Sequence, residues 1–116
     1  MLLVATPGGA ETSKIVNAQV LDALGPEGYL VNIARGSVID EAALLRYLKE
    51  KKIAGAGLDV FDDEPKINPE WFGVQNAVLF PHVASATVET RTAMGDLQVE
   101  NLRLHFAGEP AKTRVA

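Results

Sequence analysis

Four short apolar runs, each cut off by turn-forming residues, constrain this chain more than any other feature. Residues 2–5 stop at Thr6-Pro7-Gly8-Gly9, residues 29–33 at Ala34-Arg35-Gly36-Ser37, residues 55–61 at Asp62-Asp63-Glu64-Pro65, and residues 77–80 at Pro81-His82. Such runs read as strands and the segments after them as breakers. Helical patterns lie between them. Ile15, Val16, Val20, Leu21 and Leu24 recur at three- and four-residue spacing, with Asn17 as the expected cap and Gly25-Pro26 as the stop. Asp40 is expected to cap a helix over 41–51 that turns Ala43, Leu44, Leu45 and Leu48 inward. Residues 66–76 read as an irregular loop. Thr87 or Ser85 caps a last helix over 88–107, with Met94, Leu97, Leu102 and Phe106 as packing positions. The order β-α-β-α-β-loop-β-α, with strands apolar throughout, predicts an α/β fold with a parallel sheet covered on both faces.

The chain has 116 residues, enough for one domain with its own core. The formal charge of −4 argues against a nucleic-acid surface, which needs a clustered basic face. The basic cluster at residues 49–52 closes a predicted helix, where cations suit the dipole. The chain has no cysteine, so disulfides and thiolate metal sites are excluded, and no metal site is expected. No apolar run approaches the ~18 residues of a membrane span, and the N-terminus lacks the charged region of a signal peptide. A cytoplasmic protein is expected. Because the chain opens inside a strand, residues upstream of Met1 are expected as well.

In open parallel sheets ligands bind at the carboxyl ends of the strands. The four strand ends bring Arg35, Asp59, Glu64 and His82 to one edge. Taken singly these residues are unremarkable: an arginine after a strand is commonly a surface ion pair, and a glutamate before proline a turn carboxylate. His105 reads as a helix-surface or core residue, Trp71 as a loop anchor sooner than a substrate gate, and Asp40-Glu41 as a helix start. Taken together, Arg35, Glu64 and His82 suit a substrate with a carboxylate beside a carbonyl or hydroxyl. An arginine fork holds a carboxylate, a histidine gives or takes a proton, and a glutamate beside it supports the charged form. Hydride would have to come from a cofactor.

Three stretches carry a resemblance to the D-2-hydroxyacid dehydrogenase family. They are residues 31–40 (Val-Asn-Ile-Ala-Arg-Gly-Ser-Val-Ile-Asp), residues 57–65 with Gly57-Leu58-Asp59-Val60-Phe61 and Asp63-Glu64-Pro65, and residues 81–87 (Pro-His-Val-Ala-Ser-Ala-Thr). Their order and spacing match the family too, and residues 5–9 look most like its glyoxylate/hydroxypyruvate reductase branch. Many relatives have glycine where this chain has Ala84.

The resemblance implies half of a Rossmann-like, doubly wound parallel sheet. Residues 1–108 would form the C-terminal part of a dinucleotide-binding domain, and residues 109–116 a polar tail. It implies NAD or NADP as cofactor in the complete enzyme and a small 2-oxo or 2-hydroxy acid as substrate, glyoxylate or hydroxypyruvate by branch. By the same resemblance Arg35, Glu64 and His82 are catalytic, and Thr6, Ile33, Ala34, Arg35, Asp59 and His82 face the cofactor. A homo-oligomer is expected. The chain contains no G-x-G-x-x-G fingerprint to hold a pyrophosphate. The isolated chain is therefore expected to lack turnover. The alternative is a non-catalytic half-domain that associates with itself.

Overall fold

The computed structural model describes residues 1–114, so Val115 and Ala116 of the polar tail lie outside the described residues. The chain divides into two compact units, residues 1–82 and the segment from Val83 onward.

The first unit is built on four parallel strands in sequential order: β1 (Leu2–Val4), β2 (Tyr29–Asn32), β3 (Gly55–Leu58) and β4 (Ala77–Leu79). It also holds α1 (Ala18–Leu24) and α2 (Glu41–Lys49). Three rungs cross the sheet in register. They are Leu2–Leu30–Ala56–Ala77, Leu3–Val31–Gly57–Val78 and Val4–Asn32–Leu58–Leu79. Successive strand residues point to opposite faces. The outer rungs therefore share one face, and they join Leu21 of α1 and Leu44 and Leu48 of α2 in a single core cluster.

The middle rung lies on the other face. There Leu3 is 55% exposed and Val78 59% exposed, and Tyr29 is exposed as well. The expectation of a sheet covered on both faces thus holds for one face only. The fold is nonetheless the expected Rossmann-like α/β arrangement of parallel strands with flanking helices.

Local chemistry sets the helix ends. The Asn17 side chain accepts from the Gln19 and Val20 amides at 3.0 and 3.3 Å, and Gly25 ends α1 with φ +74°. The Asp40 side chain accepts from the Ala43 amide at 3.1 Å. Each such bond satisfies a donor that the helix cannot. The connections after β1 and β2 are joined by an isolated parallel bridge, Val16 to Ile39. The loop expected over 66–76 contains a 3-10 turn, Pro69–Gly73, whose Trp71 is only 1% exposed and anchors the loop in the core.

β3 was expected to run to Phe61 but ends at Leu58, and β1, β2 and β4 each end one residue early. In the second unit, α3 (Val88–Phe106) is capped by Thr87, whose hydroxyl accepts from the Thr90 amide at 3.2 Å. None of its residues is buried, and the expected packing positions Met94, Leu97, Leu102 and Phe106 are exposed. His105 is exposed, which selects the surface reading over the core one. Residues of the tail fold back on this helix: the Lys112 amide donates to Asn101 Oδ1 at 2.9 Å.

Candidate active site

The carboxyl ends of β1, β2 and β3 border an open cavity of about 650 Å3, lined by residues 5–8, 33–37 and 61–62. Asn32 shapes its central wall. This buried side chain accepts from the Ala34 amide at 3.0 Å and donates to the Arg35 carbonyl at 3.1 Å. An asparagine that bonds the backbone just ahead of it bends the chain out of the strand. Arg35 is left exposed, with its arm against Gly8, where a β-carbon would lie 2.9 Å from Arg35 Cγ. Its Nη1 donates to the Ala34 carbonyl at 2.6 Å. Among the described residues no carboxylate forms an ion pair with Arg35, so it is not the surface ion pair that its position alone suggests.

Glu64 and His82 meet although 18 residues separate them. His82 Nδ1 lies 2.7 Å from Glu64 Oε2, and the Phe61 amide donates to Glu64 Oε1 at 2.8 Å. Burial opposes charge on Glu64. The hydrogen bonds from His82 and from the Phe61 amide outweigh it and hold the carboxyl below its ordinary value. An ionised Glu64 accepts a hydrogen bond from His82 Nδ1–H and so fixes its tautomer, leaving Nε2 as the nitrogen that Glu64 does not engage. His82 has φ +55°, an uncommon conformation outside glycine. Glu64 and His82 line a second cavity of about 380 Å3 with mostly apolar walls, and Phe61 lines both cavities.

Of the residues expected to face a cofactor, Thr6, Ile33, Ala34 and Arg35 line the first cavity. Asp59 and His82 do not. Asp59 is buried just past β3, where its amide donates to the Asn32 carbonyl at 3.0 Å.

Three further residues build the site. Asn32 could have been read from sequence as an amide closing an apolar run. Gly36 carried a signal as a glycine in a turn after a strand. Glu41 carried none: it was read as a helix start, yet its carboxylate reaches the loop after β3. There Oε1 accepts from the Asp62 amide at 2.7 Å, and Oε2 accepts from Trp71 Nε1 at 3.3 Å.

The molecule is thus a parallel α/β protein with an arginine, a carboxylate–histidine pair and an open cavity at one sheet edge. Comparison with known proteins makes the class specific. The family described as D-isomer specific 2-hydroxyacid dehydrogenase, NAD binding domain, matches residues 1–84, and the chain belongs to that family. It is 54% identical over 115 residues to a 2-ketogluconate reductase of Gluconobacter oxydans, covering 99% of this chain and 37% of the relative. It is 52% identical to a hydroxyphenylpyruvate reductase of Plectranthus scutellarioides, with the same coverage of 99% and 37%. Among solved structures, an NADPH-dependent glyoxylate/hydroxypyruvate reductase from Sinorhizobium meliloti, in complex with NADP and malonate, superposes with a TM-score of 0.94. That match has 54% identity and covers 99% of this chain and 36% of the other. The chain spans a little over a third of the length of the curated relatives it matches.

Proposed function

We propose that this chain forms the acid–base and carboxylate-binding part of an NAD(P)-dependent oxidoreductase that interconverts 2-oxo and 2-hydroxy acids. Glyoxylate and hydroxypyruvate are the proposed substrates, and the protein is proposed to work in the cytoplasm. The observation that carries the reading is the 2.7 Å His82–Glu64 pair at the same sheet edge as Arg35, which pairs with no carboxylate among the described residues. Arg35 would hold the substrate carboxylate with its planar fork. His82 would keep a proton for the substrate's carbonyl oxygen, and Glu64 would stabilise the protonated ring and orient it.

The residues present fit the nicotinamide end of the cofactor. The first cavity has the size of small-ligand sites, and its walls mix backbone, the Thr6 and Ser37 hydroxyls and the Arg35 guanidinium with one acidic residue, Asp62. Thr6, Ile33 and Ala34 would hold that end, with Asp59 and His82 at its margin. Bound NAD(P) would supply the hydride. No glycine-rich strand–turn–helix for the pyrophosphate occurs in the sequence, so the chain alone is proposed to be inactive.

The test is a graft of this chain in place of the matching segment of the Sinorhizobium meliloti reductase. The graft should retain NADPH-dependent reduction of hydroxypyruvate, while the chain alone should show none. His82→Ala in the graft should lower kcat by about a hundredfold or more, the usual scale of general acid–base catalysis. Arg35→Ala should raise KM by roughly ten- to a hundredfold, as expected for a lost charged hydrogen bond. A graft that folds and binds NADPH but tolerates His82→Ala without loss would sink the proposal.

A second reading, self-association, is favoured by the exposed apolar rung through Leu3 and Val78 together with the outer strands β1 and β4, which pair on one side only among the described residues. A mass that rises with concentration in sedimentation would support a homo-oligomer, and a monomer at all concentrations would remove it.

A further inference from the structure

Two adjacent amides in the loop after β3 donate to two different carboxylates. The Phe61 amide binds Glu64, which binds His82. The Asp62 amide binds Glu41 at 2.7 Å. Glu41 belongs to the first turn of α2, a helix fixed in the core by Leu44 and Leu48. Its second oxygen accepts from the indole of the fully buried Trp71, which packs edge-to-face on Phe61 with ring centroids 6.1 Å apart. Both oxygens of one partly buried carboxylate therefore hold the two sides of a single loop. The buried indole N–H needs an acceptor, but the Asp62 amide lies next to the peptide that orients Glu64.

We infer that Glu41 is a positioning residue for the Glu64–His82 pair: it clamps the backbone at Asp62 to helix α2 and so fixes where the Phe61 amide presents Glu64 to His82. Burial pushes the Glu41 carboxyl above its ordinary value, with Asp62 and Asp63 adding to that rise against the lowering by the two hydrogen bonds. A fold that keeps an acid there in spite of this cost is using both of its oxygens. The inference rests on the proposed role of His82.

The test separates the clamp from the catalysis. By nuclear magnetic resonance on this chain, Glu41→Ala should move the Phe61 amide and the His82 ring resonances while core methyls such as those of Leu21 stay in place. Trp71→Phe removes the indole donor and part of the ring that packs on Phe61 but keeps the Asp62 bond, and should leave the His82 ring resonances where they are. Glu41→Gln serves if the alanine variant does not fold. It keeps one acceptor oxygen and should shift the reporters less. In the graft, Glu41→Ala should lower kcat by about ten- to a hundredfold, as misplacement of a catalytic group does, with KM for hydroxypyruvate and NADPH affinity unchanged. Unmoved Phe61 and His82 resonances in a folded Glu41→Ala or Glu41→Gln variant overturn the inference, as does a shift of the His82 ring of equal size in Trp71→Phe. Moved resonances with kcat unaffected by both Glu41→Ala and His82→Ala would overturn the proposed function and leave the clamp standing.

Discussion

Gly36 and Phe61 are in backbone contact: a β-carbon on Gly36 would lie 2.0 Å from the Phe61 carbonyl carbon and 2.1 Å from the Asp62 amide nitrogen. The loop that carries Arg35 and the loop that carries Glu64 therefore touch through atoms that cannot rotate away. Gly36→Ala must push the two backbones apart. The expected cost is about 2 kcal/mol or more, the scale of overpacking in a filled site, read as a lower urea midpoint. The displaced Phe61–Asp62 peptide donates to Glu41 and adjoins the one that holds Glu64, so the Asp62 and Phe61 amide resonances should move in the same variant. A variant with unchanged midpoint and resonances would show that the loops are not in contact.

The Phe61 and Asp62 amides should titrate in opposite directions from the ordinary carboxylate value of 4.5. The folded-state pKa of Glu64 is lowered, so its stabilising contribution is complete above 4.5 and is lost as pH falls through that lower value. The folded-state pKa of Glu41 is raised. Its ionised form therefore costs stability at neutral pH, and acidification through that higher value relieves the cost. In an amide-resolved titration, the Asp62 amide should shift with a midpoint above 4.5 and the Phe61 amide with a midpoint below it. A common midpoint, or the reverse order, would overturn the assignment of one carboxylate to each amide.

What could be read in the sequence follows from how local each cause is. Asn17 and Asp40 cap helices through bonds to amides two or three residues ahead, so residue type and position suffice. Thr87 capped where Ser85 was equally admissible, and only geometry separates them. That Arg35, Glu64 and His82 share an edge follows from strand ends in a parallel sheet, a rule that needs no contact map, while the roles proposed for them rest also on the family resemblance. Glu41 was missed because its partners lie 21 and 30 residues away. The bridge from Val16 to Ile39 and the exposure of α3 were missed for the same reason: both depend on what faces the segment, and a helical period does not say what that is. β3 was drawn too long because the apolar run continues through Val60 and Phe61, which are buried after the strand has ended.

His82→Asn isolates the imidazole from its backbone. Asparagine tolerates the left-handed conformation that His82 adopts at φ +55°, so the loop should keep its course. The Glu64 carboxyl then loses the hydrogen bond that His82 supplies but keeps the one from the Phe61 amide. The Phe61 midpoint should rise toward the ordinary value, while the Asp62 midpoint stays where it was. If the Phe61 midpoint does not move, His82 does not stabilise ionised Glu64.

Two side chains on α2 contrast a bond that the helix needs with one that the solvent can replace. Asp40 satisfies the Ala43 amide, which has no partner inside the helix, and it does so at 3.1 Å beside the bridge at Ile39. Asp40→Ala should cost about 1 kcal/mol, the usual value of a lost cap. Lys49 pairs with Glu70 where both side chains are about half exposed, 47% and 59%. Such a pair exchanges one solvated state for another, so Lys49→Ala should change stability by less than about 0.5 kcal/mol. Urea denaturation of both variants under one salt condition gives the comparison. Since the Asp40 cap also holds the turn from which Glu41 reaches Asp62, its loss should move the Asp62 amide resonance as well, which Lys49→Ala should not do. Equal destabilisation by the two substitutions would mean that the Asp40 cap is worth no more to α2 than the surface pair at its other end.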